Sequence, residues 1–179
     1  MRGVIFTEMI EFVEEALGFE IADKMIEKAR LENGGAFSQG GNYPFTDMVK
    51  LLGALSEITG KKPNELLFIF GEYLFTVLVK LYGRDIRAAG SAIDFINSVE
   101  EYVHVEVKKL YPDADLPKFI TEEIDEEHIV LVYQSEKKLE SFAHGLITAC
   151  GKYFNEPLDV NFETISESPY QVKFLIKKL

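Results

Sequence analysis

The sequence contains one cysteine, no tryptophan and three histidines, and each scarcity removes a class of chemistry. Cys150 alone can neither close an internal disulfide nor join other cysteines around zinc, so a reducing compartment, the cytoplasm, is expected. With only His104, His128 and His144 available, a dense metal cluster is excluded and each histidine has to be judged separately. Basic residues are also short, 19 Lys and Arg against 30 Asp and Glu, for a net charge of −11. Such a surface repels phosphate backbones and anionic headgroups, and no basic stripe offsets it. Neither nucleic acid nor a membrane is therefore expected as a partner. A nucleotide-binding glycine loop, a G-x-S-x-G elbow and an H-E-x-x-H pair are all absent, and the many carboxylates show no spacing that singles out an acid and base pair. The chain does not read as an enzyme. The N-terminus turns acidic at Glu8 and Glu11 before a long apolar core develops, which argues against a signal peptide, and no apolar run is expected to cross a bilayer.

What is present suits a folded globular domain. At 179 residues and 47% hydrophobic, the chain fits one domain over residues 1–179, large enough to bury a cofactor. The first two-thirds have helical periodicity. Ile5, Met9, Phe12, Val13 and Ala16 recur on one face of residues 2–17, Gly18 ends that run, and a second helix is expected over 21–30. Two glycine-rich stretches, residues 32–35 and 39–42, mark a loop, and a further helix should run from after Pro44 to Gly60. Pro63 opens the next helix, whose stretch Leu66 to Tyr82 is apolar on all sides and is expected to be buried, with Gly83 past its end. Ser91 with Asp94 three residues later resembles a cap for a helix over 92–111 that Pro112 stops.

Beyond Pro112 the period changes to alternation, around Ile129–Tyr133, Val160–Phe162 and Val172–Ile176, which predicts three strands. A helix over about 138–154 separates the first two, with Leu139, Phe142, Leu146, Cys150 and Tyr153 on one stripe. The expected fold class is α+β, an N-terminal helical part followed by a small antiparallel sheet with an inserted helix.

On periodicity alone, His104 sits on the shoulder of a stripe formed by Ile96, Val99, Val103, Val107 and Leu110, beside Ile93, Glu100 and Tyr111, and reads as a partly buried structural histidine. His144 falls on the polar side of its helix, and His128 opens a strand after an acidic run. The former reads as a solvated surface histidine and the latter as structural. The stretch that changes the weight on His104 is Tyr102-Val103-His104-Val105-Glu106-Val107-Lys108-Lys109-Leu110-Tyr111-Pro112-Asp113-Ala114-Asp115-Leu116-Pro117-Lys118-Phe119. It resembles the proximal segment of the H-NOX family, the haem nitric oxide and oxygen binding domains found in bacteria and in soluble guanylate cyclase. The start Met1-Arg2-Gly3, the Phe70-Gly71-Glu72-Tyr73 run and Tyr133-Gln134-Ser135-Glu136-Lys137 strengthen the resemblance, which covers essentially the whole chain.

The resemblance implies a stand-alone domain enclosing haem b, with His104 as the iron ligand and Pro117 pressed against the ring. The family's Y-x-S-x-R motif becomes Tyr133, Ser135 and Lys137, which would hold the propionates. Lys137 keeps the charge of the usual arginine but loses its two-pronged grip. The gas side would be formed by Ile5, Met9, Leu74, Phe142 and Leu146, and Met1 also belongs to the implied site. Oxygen-binding relatives carry a tyrosine where Phe142 stands, so nitric oxide and carbon monoxide are the expected ligands, with Tyr73 as the nearby hydroxyl that could turn inward. The implied receiver is a histidine kinase or a diguanylate cyclase or phosphodiesterase. Two rivals lack haem: a carrier of an apolar small molecule, and a module that binds a partner helix.

Overall fold

The computed structural model describes residues 1–110 and 112–179, save for the Leu110 side chain. The chain forms two compact units, Met1–Phe70 and Gly71–Leu179. In the first unit, helix α1 (Gly3–Leu17) and helix α2 (Phe19–Ala29) meet at Gly18, whose φ of 92° is open to glycine but strained for other residues. Helix α3 (Phe45–Thr59) follows Pro44 and ends at Gly60, as expected. Phe6, Met9, Phe12 and Val13 of α1 are buried, whereas Ala16, placed with them by periodicity, is exposed in the last turn. The glycine-rich loop closes back on the start of α1. The Met1 amine donates to the Tyr43 carbonyl at 2.7 Å, the Gly3 N–H to the Gly41 carbonyl at 2.8 Å, and Phe37 stacks on Phe6 at 4.4 Å.

Helix α4 (Pro63–Ala88) carries the division between the units, so no change in composition marks the boundary. It differs from the expected helix in two ways. It continues past Gly83 across a kink at Tyr82 (φ −126°, ψ 19°), and its apolar character does not translate into full burial, since Leu81 and Tyr82 are exposed. Contrary to the expectation that no apolar run is long enough, α4 could cross a bilayer by length and composition, with 33% of its most apolar window buried. Its Glu72 is ion-paired with Lys152 at 2.6 Å, an arrangement suited to a helix within a globular unit.

The expected helix over 92–111 is three segments. Helix α5 (Ala92–Ser98) begins at Ser91, whose Oγ accepts the Asp94 N–H at 3.1 Å, so the cap is as expected. A π-helical turn spans Val99–Val103, and helix α6 (His104–Leu110) follows. The predicted helix end at Tyr111 and the core role of Leu110 lie outside the described residues. Val99, Val103 and Val107 are only partly buried.

Among the described residues four strands, rather than the expected three, form one antiparallel sheet: β1 (Lys118–Ile124), β2 (His128–Gln134), β3 (Leu158–Glu167) and β4 (Tyr170–Lys178), in the order β1-β2-β4-β3. Strand β1 escapes an alternation test because it is an edge strand exposed almost throughout. Helix α7 (Glu140–Tyr153) is inserted between β2 and β3. Its residues Ala143, Ile147 and Cys150 share a core with Ile93 and Ile96 of α5, Ile129 and Leu131 of β2, and Val172, Phe174 and Ile176 of β4. The stripe proposed for α7 is only partly right. Phe142, Leu146 and Tyr153 are half-buried, whereas the small residues Ser141, Gly145, Ala149 and Gly151 are buried. Gly71 explains why small residues matter here: a Cβ at that position would collide with the Phe142 carbonyl oxygen and stand 3.0 Å from the Leu146 nitrogen. Backbones of α4 and α7 therefore touch where they cross.

Candidate functional site

The π turn determines where His104 points. In an uninterrupted helix, His104 lies about 80° from Ile96, the shoulder position that periodicity assigns it. The Val99 carbonyl instead accepts the His104 N–H, a five-residue step that inserts one extra residue into the turn. The phase of all later residues shifts by about 100°, which brings His104 to within roughly 20° of the Ile96 direction. Val103 and Val107 move off that face in exchange. The imidazole is accordingly 12% exposed.

Its environment favours a neutral, oriented ring. His104 Nδ1 lies 3.0 Å from Glu100 Oε2, and Nε2 has no hydrogen-bond partner among the described residues. Burial pushes the imidazole's pKa down from its ordinary value. Glu100 opposes that shift and Lys108 adds to it. A neutral ring donating Nδ1–H to a carboxylate leaves the Nε2 lone pair available, the state in which histidine ligates iron. Glu100 Oε2 also accepts the Phe119 N–H at 3.0 Å, and the Phe119 ring lies 5.8 Å from the imidazole and 5.5 Å from the Tyr133 ring.

That aromatic step joins the candidate ligand to the other half of the site. Tyr133, at the end of β2, is buried, and desolvation pushes its phenol up despite hydrogen bonds to Ser135 and to the Leu139 N–H, the latter at 3.2 Å. Ser135 Oγ accepts the Lys137 N–H at 3.3 Å. Lys137 Nζ reaches back to the loop before β1, donating to the Asp115 carbonyl at 2.8 Å and standing 2.7 Å from its carboxylate. Pro117, half-buried, belongs to the same loop. Two hydroxyls, one ammonium and one neutral imidazole therefore converge within the second unit. This donor set fits haem: a nitrogen for iron, with hydroxyl and cationic donors for carboxylates.

The sequence profile of the haem-NO-binding (HNOB) family matches residues 2–162. The chain belongs to that family. It is 35% identical to an H-NOX protein from K. algicida, solved in the unliganded Fe(II) state, with a TM-score of 0.93 over 100% of this chain and 97% of that one. An H-NOX from Shewanella woodyi, solved in an Fe(II)CO state, is 32% identical, with a TM-score of 0.82 over 100% of this chain and 95% of that one. Soluble guanylate cyclase 89Db of Drosophila melanogaster is 24% identical over 86% of this chain, which spans 23% of that protein's length. H-NOX domains are haem-binding gas-sensing domains, and the α+β fold found here is theirs.

The residues expected on the gas side fall in both units. Ile5 is half-buried and Met9 fully buried on α1, one turn apart. In the second unit, Leu74 is buried one turn beyond Gly71 on α4, and Phe142 and Leu146 are half-buried on the stretch of α7 that Gly71 touches. Met1 is tied to Tyr43 in the first unit. His128, expected to be structural, has its Nδ1 2.7 Å from Asp125 in the β1–β2 turn. His144 corrects the expectation of a solvated surface group: its ring packs edge-on against Phe162 at 5.5 Å, and burial lowers its pKa. Among the described residues no group of three or more His, Cys, Asp or Glu is arranged to hold a metal ion. Periodicity and motif reading passed over Glu100, Phe119 and Asp115 as functional residues. The i,i+4 spacing of Glu100 and His104 is a signal that could have found the first.

Proposed function

We propose that this chain, as one domain over residues 1–179, is a haem-based sensor of nitric oxide in which His104 Nε2 is the only protein ligand to ferrous iron. The observation that carries the reading is the His104 arrangement: a mostly buried imidazole with Nδ1 3.0 Å from Glu100 Oε2 and Nε2 without a hydrogen-bond partner among the described residues. Haem b would supply the gas-binding iron. The chain's own residues would seat it, with Tyr133, Ser135 and Lys137 taking the propionates and Pro117 bearing on the ring. Met1 and the side chains of Ile5, Met9, Leu74, Phe142 and Leu146 complete the proposed site. These five apolar side chains offer no strong donor, which favours nitric oxide and carbon monoxide over dioxygen. Release of His104 on nitric oxide binding would free α6, and that change signals only if a partner prefers one of the two states. A cytoplasmic histidine kinase or a diguanylate cyclase or phosphodiesterase is the proposed receiver, docking on the acidic surface. The domain itself performs no catalysis.

The test is the absorption spectrum of the reduced protein reconstituted with haem, before and after nitric oxide. His104→Ala should lose histidine ligation and regain it with free imidazole. Iron coordination unchanged in His104→Ala without imidazole refutes the assignment, and a protein that stays colourless refutes the haem reading altogether.

A further inference from the structure

We propose that Glu100 is a positioning residue for the axial histidine, holding the His104 Nδ1–H and the Phe119 N–H on one carboxylate oxygen and thereby fixing the imidazole's tautomer, orientation and donor strength. The proposal rests on the haem function proposed above and deepens it. Glu100 Oε2 lies 3.0 Å from both partners. Its two bonds have different consequences. The bond to His104 leaves Nε2 as the lone-pair nitrogen and places negative charge behind the ring, which raises the basicity of a ligating imidazole. The bond to Phe119 anchors the carboxylate to the start of strand β1, so that its position is not left to a free side chain.

The backbone makes this arrangement possible. Glu100 lies within the π turn Val99–Val103 and His104 directly follows it, and the extra residue there turns the imidazole toward the buried side while Glu100 stays 35% exposed. Glu106 on α6 is paired with Lys109 at 2.6 Å rather than with His104. Glu100 thus also joins the helix that bears the candidate ligand to the sheet, by a contact that must change if His104 is displaced.

The experiment uses the full chain and two variants, Glu100→Gln, which keeps an acceptor without the charge, and Glu100→Ala. In the ferrous, gas-free protein the iron–histidine stretching vibration, read by resonance Raman, should shift to lower frequency from Glu to Gln to Ala. Haem affinity should fall roughly 10- to 100-fold for Ala. A purely structural role would lower thermal stability without moving the vibration. Unchanged frequency in both variants, with His104 still bound to iron, overturns the proposal and leaves the sensor reading standing. Nitrogen NMR of His104 in the metal-free wild-type chain gives a second decision that needs neither variant to fold. A proton on Nδ1 supports the proposal and a proton on Nε2 overturns it. If the wild type takes up haem without using His104, the sensor assignment fails separately.

Discussion

Lys137 makes two bonds of unequal worth, and the difference between them can be measured. Its ammonium donates to the Asp115 carbonyl at 2.8 Å and pairs with the Asp115 carboxylate at 2.7 Å, and the lysine side chain is 15% exposed while the aspartate is 80% exposed. A charged donor on a carbonyl contributes about 1.5–3 kcal/mol when solvent is largely excluded. An ion pair whose acid is open to water contributes about 0.2–1 kcal/mol and is screened by salt. Lys137→Met should therefore destabilise the metal-free chain by about 2–3 kcal/mol, near the sum of the two with allowance for non-additivity. Asp115→Ala removes only the weaker bond and should cost less than about 1 kcal/mol, an effect that fades at high salt. In the Asp115→Ala background, Lys137→Met should still cost about 1.5 kcal/mol or more, because the backbone carbonyl remains. Urea unfolding followed by circular dichroism, at low and high salt, reads all four proteins. The reasoning is refuted if Asp115→Ala costs as much as Lys137→Met, or if the lysine substitution is neutral. With haem bound, Lys137→Arg should slow haem loss modestly and Lys137→Glu should speed it severely. Equal loss rates for Lys, Arg and Glu would show that this side chain does not touch the cofactor.

Three further outcomes follow from the same geometry. Burial pushes the Cys150 thiol up to about 12, so at pH 8 roughly one in ten thousand is ionised against about a quarter for a free cysteine, and labelling by a thiol reagent should proceed only with denaturant; rapid labelling of the native chain refutes this. Because the folded value is raised, the stability linked to this group is intact below the unfolded value of about 8.5 and is lost as pH rises toward 12, which unfolding of Cys150→Ala beside the wild type at pH 8 and pH 10.5 will reveal. Gly71→Ala should lower stability by about 1–3 kcal/mol through crowding of the α7 backbone, seen as a lower Tm, and an unchanged Tm would mean that the helices part freely. Phe142→Tyr should raise oxygen affinity roughly ten- to a hundredfold by supplying a donor worth about 1.5–3 kcal/mol, whereas a long-lived oxy species in the unmodified ferrous protein would remove the basis for nitric oxide selectivity.

Much of this molecule is determined by local pattern, because the physics that makes those elements is local. Pro44, Gly60 and Ser91 terminate helices through backbone preferences that neighbouring residues alone satisfy, and the alternation in β2 and β4 reflects one buried face. The family resemblance is likewise legible in the local spacing from His104 to Leu116-Pro117. What the sequence left open depends on partners distant along the chain. An exposed edge strand such as β1 carries no burial alternation, since its position comes from pairing with β2 rather than from its own side chains. The π turn at Val99–Val103 rotates His104 off the shoulder of its stripe, and a wheel drawn at 100° per residue contains no information about an inserted residue. Glu100 acquires its role only when Phe119, 19 residues later, presents its N–H to the same oxygen. Lys137 finds Asp115 across 22 residues for the same reason: a side chain's acceptor is set by which loop the fold brings beside it, and no periodicity encodes that.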